Sequence, residues 1–177
     1  IGAFDHGIYS AVERKTDHLL QSDGKPRQVL WKIYSKHAIL SAGATERPIA
    51  FPNNDRPGVM LANAVRSYVN RWDVTPGQAV SVFTNNDDGW RTATDLAEKG
   101  VKIAAVIDSR SIEPLAKFPG AHIEMGTQVV DTTGRHGLQT IKLSNGKIID
   151  TDCLAVSGGW NPNVHLSCHH RGIPQWN

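Results

Sequence analysis

The segment Thr84-Asn85-Asn86-Asp87-Asp88-Gly89-Trp90 follows an apolar, β-branched run at 79–84 and precedes a stretch of helical character at 90–99. A dinucleotide fold places Gly-x-Gly-x-x-Gly at such a junction, where glycines let backbone N–H groups at a helix N-terminus hold a pyrophosphate. Only Gly89 remains of that pattern, and two carboxylates stand where the phosphates would lie. A carboxylate and a phosphate ~4 Å apart repel by ~4 kcal/mol at an effective dielectric near 20. That is roughly a thousandfold in affinity per contact. Asp87 and Asp88 suit a helix N-terminus that carries no anion, because they favour the helix dipole. The loop is therefore read as a nucleotide site that has lost its nucleotide. Asp108 stands about twenty residues on, where a working site binds adenine ribose hydroxyls. Without a phosphate cradle it reads better as a strand-end or helix-capping residue.

A second candidate is Ala42-Gly43-Ala44, at the end of an apolar run at 37–42. Glycine after a buried strand lets backbone approach a pyrophosphate closely and present N–H groups to it. The competing reading is a simple tight turn. His165, Cys168, His169 and His170 are of zinc-ligating type, but His-x-x-Cys-His-His fits no common structural zinc spacing, and a surface segment is the better reading. Asp5 and His6 read as a turn. No Ser-His-Asp order and no paired carboxylates suggest hydrolytic chemistry.

The elements that must hold these residues follow from periodicity. Residues 8–14 and 29–35 read as strands of an antiparallel meander, joined by turn chemistry at Gln21-Ser22-Asp23-Gly24-Lys25-Pro26. Pro48, Pro52, Pro57 and Gly58 mark a linker or crossover. A helix is expected from Gly58, with Asp55 as a start signal and Leu61, Val65, Tyr68 and Trp72 as one apolar stripe for core or interface packing. Arg66 and Arg71 fall off that stripe and read as solvated. From 79 the pattern is β-α-β: strand 79–84, helix 90–99 closed by Gly100, strand 101–107. This is the half-unit of a doubly wound sheet. Asn145-Gly146 between 138–143 and 148–150 is a hairpin signal. Residues 153–157 form one more short buried strand.

The chain has 177 residues, is 40% hydrophobic and 20% charged, and carries a formal net charge of +2. That is an ordinary globular balance, too weakly basic to argue for nucleic acid or an anionic membrane. No apolar run is long enough to span a bilayer, and no signal peptide opens the sequence. Two cysteines, Cys153 and Cys168, make no disulfide framework, so a reducing, cytoplasmic setting is expected. Ile1 in place of Met and the plain end at Trp176-Asn177 suggest a fragment of something longer.

Three segments resemble the two-dinucleotide-domain flavoproteins of the pyridine-nucleotide disulfide oxidoreductase type. They are Ile39-Leu40-Ser41-Ala42-Gly43-Ala44-Thr45-Glu46-Arg47-Pro48, the β-α-β unit at 79–108, and Leu154-Ala155-Val156-Ser157-Gly158-Gly159-Trp160-Asn161-Pro162-Asn163. The first looks like the exit from a first nucleotide domain and the last like the return to it. Phe51-Pro52-Asn53-Asn54-Asp55-Arg56-Pro57-Gly58-Val59-Met60-Leu61 sharpens the likeness, with Phe4-Asp5-His6 and Asn161-Pro162-Asn163-Val164-His165-Leu166. Together these segments resemble the alpha subunits of heterotetrameric sarcosine oxidases.

The resemblance implies an α/β chain with a Rossmann-like inserted domain at 48–150 and a degenerate glycine loop. β-rich remnants of a first NAD/FAD-type nucleotide-binding domain, 1–47 and 151–177, would flank it. It implies a parent complex with beta, gamma and delta subunits holding NAD, FAD and FMN. That complex would oxidise sarcosine to glycine, pass the one-carbon unit to tetrahydrofolate and pass electrons to oxygen. The amine would react on the beta subunit's flavin, and this segment would support the NAD site through Ala42, Gly43 and Ala44 without being catalytic alone. The first glycine-rich fingerprint would precede Ile1 and the folate domain would follow Asn177. Two other readings stand beside it: an NAD(P)H-dependent disulfide-reductase-like flavoprotein, which a Cys-x-x-Cys would support, and a non-catalytic scaffold for subunit contacts.

Overall fold

The computed structural model describes residues 2–21 and 23–175. Ile1, Trp176 and Asn177 lie outside the described residues, as does Ser22 of the expected turn at 21–26. The chain divides into two compact units: Ile1–Thr45 with Pro162–Asn177, and Glu46–Asn161.

The first unit opens with an antiparallel meander of β1 (Gly2–Phe4), β2 (Ile8–Arg14) and β3 (Gln28–Tyr34), in that spatial order. Cross-strand pairs such as Val12 with Leu30 and Ala11 with Trp31 set the register. Asp5–Gly7 form a tight 3-10 turn with His6 in the left-handed region at φ 64°, as the turn reading expects. Residues 37–42, expected as a strand, form none. An apolar run becomes a strand only where a neighbour satisfies its backbone N–H and C=O groups. No described strand pairs with this one, and Ile39 is 94% exposed. The chain then passes through β4 (Ala44–Glu46) into the second unit.

The second unit is a layered α/β structure. Its centre is a five-stranded, all-parallel sheet built from β5 (Val59–Leu61), β6 (Val80–Thr84), β7 (Ile103–Asp108), β8 (His122–Met125) and a later strand, Cys153–Ser157. Helices α1 (Ala62–Trp72) and α2 (Asp87–Glu98) connect the first three strands. An antiparallel meander of β9 (Val129–Thr133), β10 (Thr140–Leu143) and β11 (Ile148–Asp150) precedes the strand Cys153–Ser157, which is β12. The parallel order is β5-β12-β6-β7-β8, so β12 is an inner strand of this unit.

Alternation along these strands feeds two cores. Val80, Val82, Cys153 and Ala155 pack with Ala62, Val65, Val69, Trp90, Ala93 and Leu96 of the helices. Phe83, Ile107, Leu154 and Val156 pack with Val129, Leu138, Ile141, Leu143 and Ile149. Strands buried on both faces read as continuous apolar runs, which is why β6, β7 and β12 were legible.

Three expectations change here. The helix expected from Gly58 begins at Ala62, because Val59–Leu61 are drawn into edge pairing with β12. Its buried face is Ala62, Val65 and Val69, while Tyr68 and Trp72 of the expected stripe are 43% and 59% exposed. Helix α2 starts at Asp87, three residues before the expected Trp90.

The Pro-rich crossover is held by side chains. Arg56 donates to Thr132 Oγ1 (3.2 Å) and to the Gly134 carbonyl, and Asn53 Nδ2 donates to Asp131 (2.7 Å). The hairpin at Asn145-Gly146 is tied to β8: Lys147 Nζ and Asn145 Nδ2 reach Glu124 at 2.7 and 3.0 Å. The chain leaves the unit through β13 (Trp160–Pro162), which pairs with β4, and ends in the short helix α3 (His165–His169).

Candidate functional site

In the first unit the turn Ala42-Gly43-Ala44 is exposed. Gly43 sits at φ +65° with open space where a Cβ would stand, so glycine is favoured here by backbone conformation and not by crowding. Asn163 brackets the turn. Its backbone N–H donates to the Gly43 carbonyl (2.9 Å), its Nδ2 donates to the Ala42 carbonyl (2.9 Å), and its Oδ1 accepts from Thr45 Oγ1 (3.1 Å).

In the second unit the corresponding place is the carboxyl edge of the parallel sheet, where open α/β sheets bind ligands. Asn86 caps α2: its Oδ1 accepts from the Asp88 N–H (3.0 Å), and its Nδ2 reaches back to the Ser157 carbonyl (3.0 Å) at the end of β12. A Cβ at Gly89 would run into the Thr84 side chain, so this surviving glycine serves close packing of helix on strand. Asp108, fully buried at the end of β7, accepts from Trp90 Nε1 (2.8 Å) and from the Arg110 N–H (2.9 Å) and guanidinium (2.8 Å). The same guanidinium reaches Asp87 at 2.8 Å. Arg66 lies 3.7 Å from Asp88 and pairs with Asp95, so it is not the freely solvated residue that the sequence suggests. Arg71 is exposed, as expected. Trp160 Nε1 donates to Asp88 (3.0 Å).

These contacts decide the fit of a nucleotide at the α2 N-terminus. The Asp88 N–H is taken by Asn86, and the acid at the ribose position is filled by Trp90 and Arg110. Asp87 is partly neutralised by Arg110, so its repulsion of a phosphate is weaker than for a bare carboxylate. Arg66 is shared by Asp88 and Asp95, and Arg110 by Asp87 and Asp108, so both guanidiniums are already engaged by carboxylates. The residues present do not fit a dinucleotide here.

Burial alone would raise the Asp108 carboxyl; hydrogen bonds from Arg110 and Trp90 outweigh it and hold the group below its ordinary value. Arg110 is held in its charged form by Asp108 first, with burial opposing and Asp87 assisting. Glu46, buried at the start of this unit, is the opposite case. Loss of water raises its carboxyl, against donors at Asn63 and Ser157, and Asp88 adds to the rise. Its Oε2 accepts the Asn63 N–H (2.9 Å), which caps α1 from a distant strand.

The C-terminal histidines do not form a metal centre. His169 Nδ1 accepts from the Ala3 N–H (3.2 Å), His170 lies edge-on to Tyr9, and no group of three or more His, Cys, Asp or Glu among the described residues could hold a metal ion. Cys153 is buried, which pushes its thiol up to about 12, with Asp152 adding to the rise; Cys168 is exposed. Among the described residues no helix is long and apolar enough to cross a membrane.

Arg110, Glu46, Thr45 and Asn163 escaped the sequence reading. Arg110 carried a signal, a cation two residues beyond a strand-end acid. Asn163 lay inside a motif noted only for its family likeness. Glu46 carried none, because its partner Asn63 is fixed only by the fold.

Comparison with known proteins now bears on this arrangement. No family model matches the chain. It is 38% identical over 179 residues to the sarcosine oxidase subunit alpha of Rhizobium meliloti (strain 1021), covering 99% of this chain and 18% of that protein. With the subunit alpha of Corynebacterium sp. (strain P-1) it is 37% identical over 193 residues, 99% of this chain and 20% of that one. The chain is homologous to a segment of the sarcosine oxidase alpha subunits. It spans about a fifth of the length of these curated relatives.

Solved structures agree on the fold. L-proline dehydrogenase from P. horikoshii superposes with a TM-score of 0.64 at 22% identity, over 84% of this chain and 26% of that one. The water-forming NADH oxidase from Lactobacillus brevis, bound to NADH, gives 0.60 at 18% identity, over 93% and 37%. The ferredoxin reductase of the Rhodopseudomonas palustris CYP199A2 system gives 0.59 at 19%, over 84% and 41%. The expected α/β class, a Rossmann-like parallel sheet with antiparallel β-rich parts, is thus the architecture of these oxidoreductase domains.

Proposed function

We propose that the chain is a supporting segment of a sarcosine oxidase-like alpha subunit, contributing to its NAD site through Ala42, Gly43 and Ala44 and performing no chemistry alone. On this reading the unit Glu46–Asn161 is the inserted Rossmann-like domain, which binds no nucleotide of its own. The other unit is the remnant of a first NAD/FAD-type nucleotide-binding domain. The parent would work in the cytoplasm beside beta, gamma and delta subunits that bring FAD and FMN, demethylating sarcosine to glycine and transferring the one-carbon unit to tetrahydrofolate. NAD would supply a nicotinamide redox couple; this chain's residues would only present the exposed Gly43 turn to it.

The observation that carries the reading is the set of contacts around the α2 N-terminus, where Asn86 takes the Asp88 N–H and Trp90 and Arg110 take the Asp108 carboxylate. A homologue of a dinucleotide-enzyme segment whose own Rossmann loop is closed has a supporting role left to it. The disulfide-reductase reading lacks a dithiol, since Cys153 and Cys168 are far apart in sequence and the former is buried. The scaffold reading applies well to the second unit taken alone.

Titration calorimetry of NAD into this chain, with NADP as control and folding checked by circular dichroism, tests the proposal. Binding no tighter than about 1 mM is expected, a free energy near −4 kcal/mol. Micromolar affinity in the folded chain would overturn it, since the segment would then be a complete nucleotide site and not a supporting one.

A further inference from the structure

We infer that Asn163 and Thr45 are positioning residues that hold the Ala42-Gly43-Ala44 turn in the conformation a nucleotide would meet. The inference rests on the proposed NAD-supporting role of that turn. Gly43 is left-handed, exposed and uncrowded, so no packing fixes its shape. A glycine turn without packing samples many conformations, and binding would have to order it at a cost in affinity.

The structure supplies order from elsewhere in the sequence. Asn163 lies 121 positions beyond Ala42, and its amide is used at both ends: Nδ2 donates to the Ala42 carbonyl at 2.9 Å and Oδ1 accepts from Thr45 Oγ1 at 3.1 Å. Its backbone N–H takes the Gly43 carbonyl at 2.9 Å. Two carbonyls of the turn are thereby pulled toward Asn163, and carbonyl oxygens are the groups a phosphate must not meet. Asn is the residue type for this work, since its amide both donates and accepts. Asp in its place would keep the acceptor for Thr45, lose the donor to Ala42, and add a negative charge beside the turn.

The experiment is NAD titration of the assembled, full-length protein carrying single substitutions, with melting temperature followed in parallel. Asn163→Ala and Thr45→Val are expected to weaken NAD about ten-fold and a few-fold, by loss of two and one side-chain hydrogen bonds. Thr45→Ser, which keeps the hydroxyl, is expected to restore native affinity. Ala44→Glu puts a charge on the exposed turn and tests the underlying reading by itself. If Ala44→Glu leaves NAD affinity unchanged, the turn does not meet the nucleotide and the proposed function fails with it. If Ala44→Glu weakens NAD while Asn163→Ala and Thr45→Val do not, the reading survives and the positioning role is overturned. A loss in Thr45→Val that Thr45→Ser does not rescue also overturns it, as does a loss that merely tracks a drop in melting temperature.

Discussion

The two units contain similar proportions of strand but differ in what they bury. The unit Glu46–Asn161 holds two apolar cores, one on each face of its parallel sheet. In the other unit the small side chain of Ala3 is the one buried apolar residue among those described, while Val12, Leu30, Trp31, Tyr34 and Ile39 are each more than half exposed. A sheet needs one covered face to be stable. The second unit therefore carries its own cores, and the first leaves most of its large apolar side chains exposed. The candidate features divide the same way. The occupied α2 N-terminus belongs to the unit with the cores, and the exposed glycine turn to the other.

The largest test of that contrast is a pair of truncations. Leu154→Ala, in β12 between the sheet and the β9–β11 meander, is expected to cost about 3 kcal/mol, from lost transfer energy and a cavity. Leu30→Ala, at 60% exposure, should cost no more than ~0.5 kcal/mol in this chain. Urea unfolding with amide exchange resolved over β12 and β3 measures both. Equal costs would mean that the first unit has a core of its own, and the contrast would collapse.

What was legible in the sequence follows the same division. Runs such as Val80–Thr84 and Cys153–Ser157 are apolar because both sheet faces are buried, so they announced themselves. Residues 37–42 have the same composition and misled, because no described strand satisfies their backbone. The edge strand β5 was misread as helix because three residues beside a helical stripe carry no period of their own. In the crevice the missing glycines and the two aspartates were plain. The guanidinium that joins Asp87 to Asp108 across 23 and 2 positions needed the fold. Asn163 was invisible as a clamp for the same reason.

Arg110 offers the next test. Arg110→Ala leaves a fully buried Asp108 with Trp90 and one backbone N–H but no cation. A loss of about 2 kcal/mol is expected, below the range for fully buried pairs because the arginine side chain is 31% exposed. The loss should appear as faster exchange in β7 and α2, with no gain of NAD binding because Asn86, Asp87 and Asp88 remain. Tight nucleotide binding by the variant would show that the arginine alone closes the crevice.

A smaller effect is expected in the first unit. Gly43→Ala forces a side chain into the left-handed region, which costs about 1 kcal/mol, but meets no neighbouring atom. Gly89→Ala, in contrast, runs into Thr84. Melting curves should therefore rank the second variant well below the first. A reversed order would mean that the Gly43 turn is the crowded one and the α2 N-terminus the open one.

The smallest effects are pH slopes, and the two buried carboxyls should give opposite signs. Asp108 is held below its unfolded value, so its stabilisation is present above the ordinary aspartate range and is lost as pH falls through its folded value. Glu46 is raised, so the folded unit binds its proton more tightly than the unfolded chain does. Its contribution is fully present below the ordinary glutamate range and lost as pH rises through the folded value. Glu46→Gln should thus remove a decline in stability on going from acid toward neutrality, while Asp108→Asn should remove a decline in the other direction. Denaturant midpoints taken across the acid range separate the two. A Glu46→Gln profile parallel to that of the parent chain would place the Glu46 carboxyl in water. It would also detach the capping of α1 from the charge balance at this edge of the sheet.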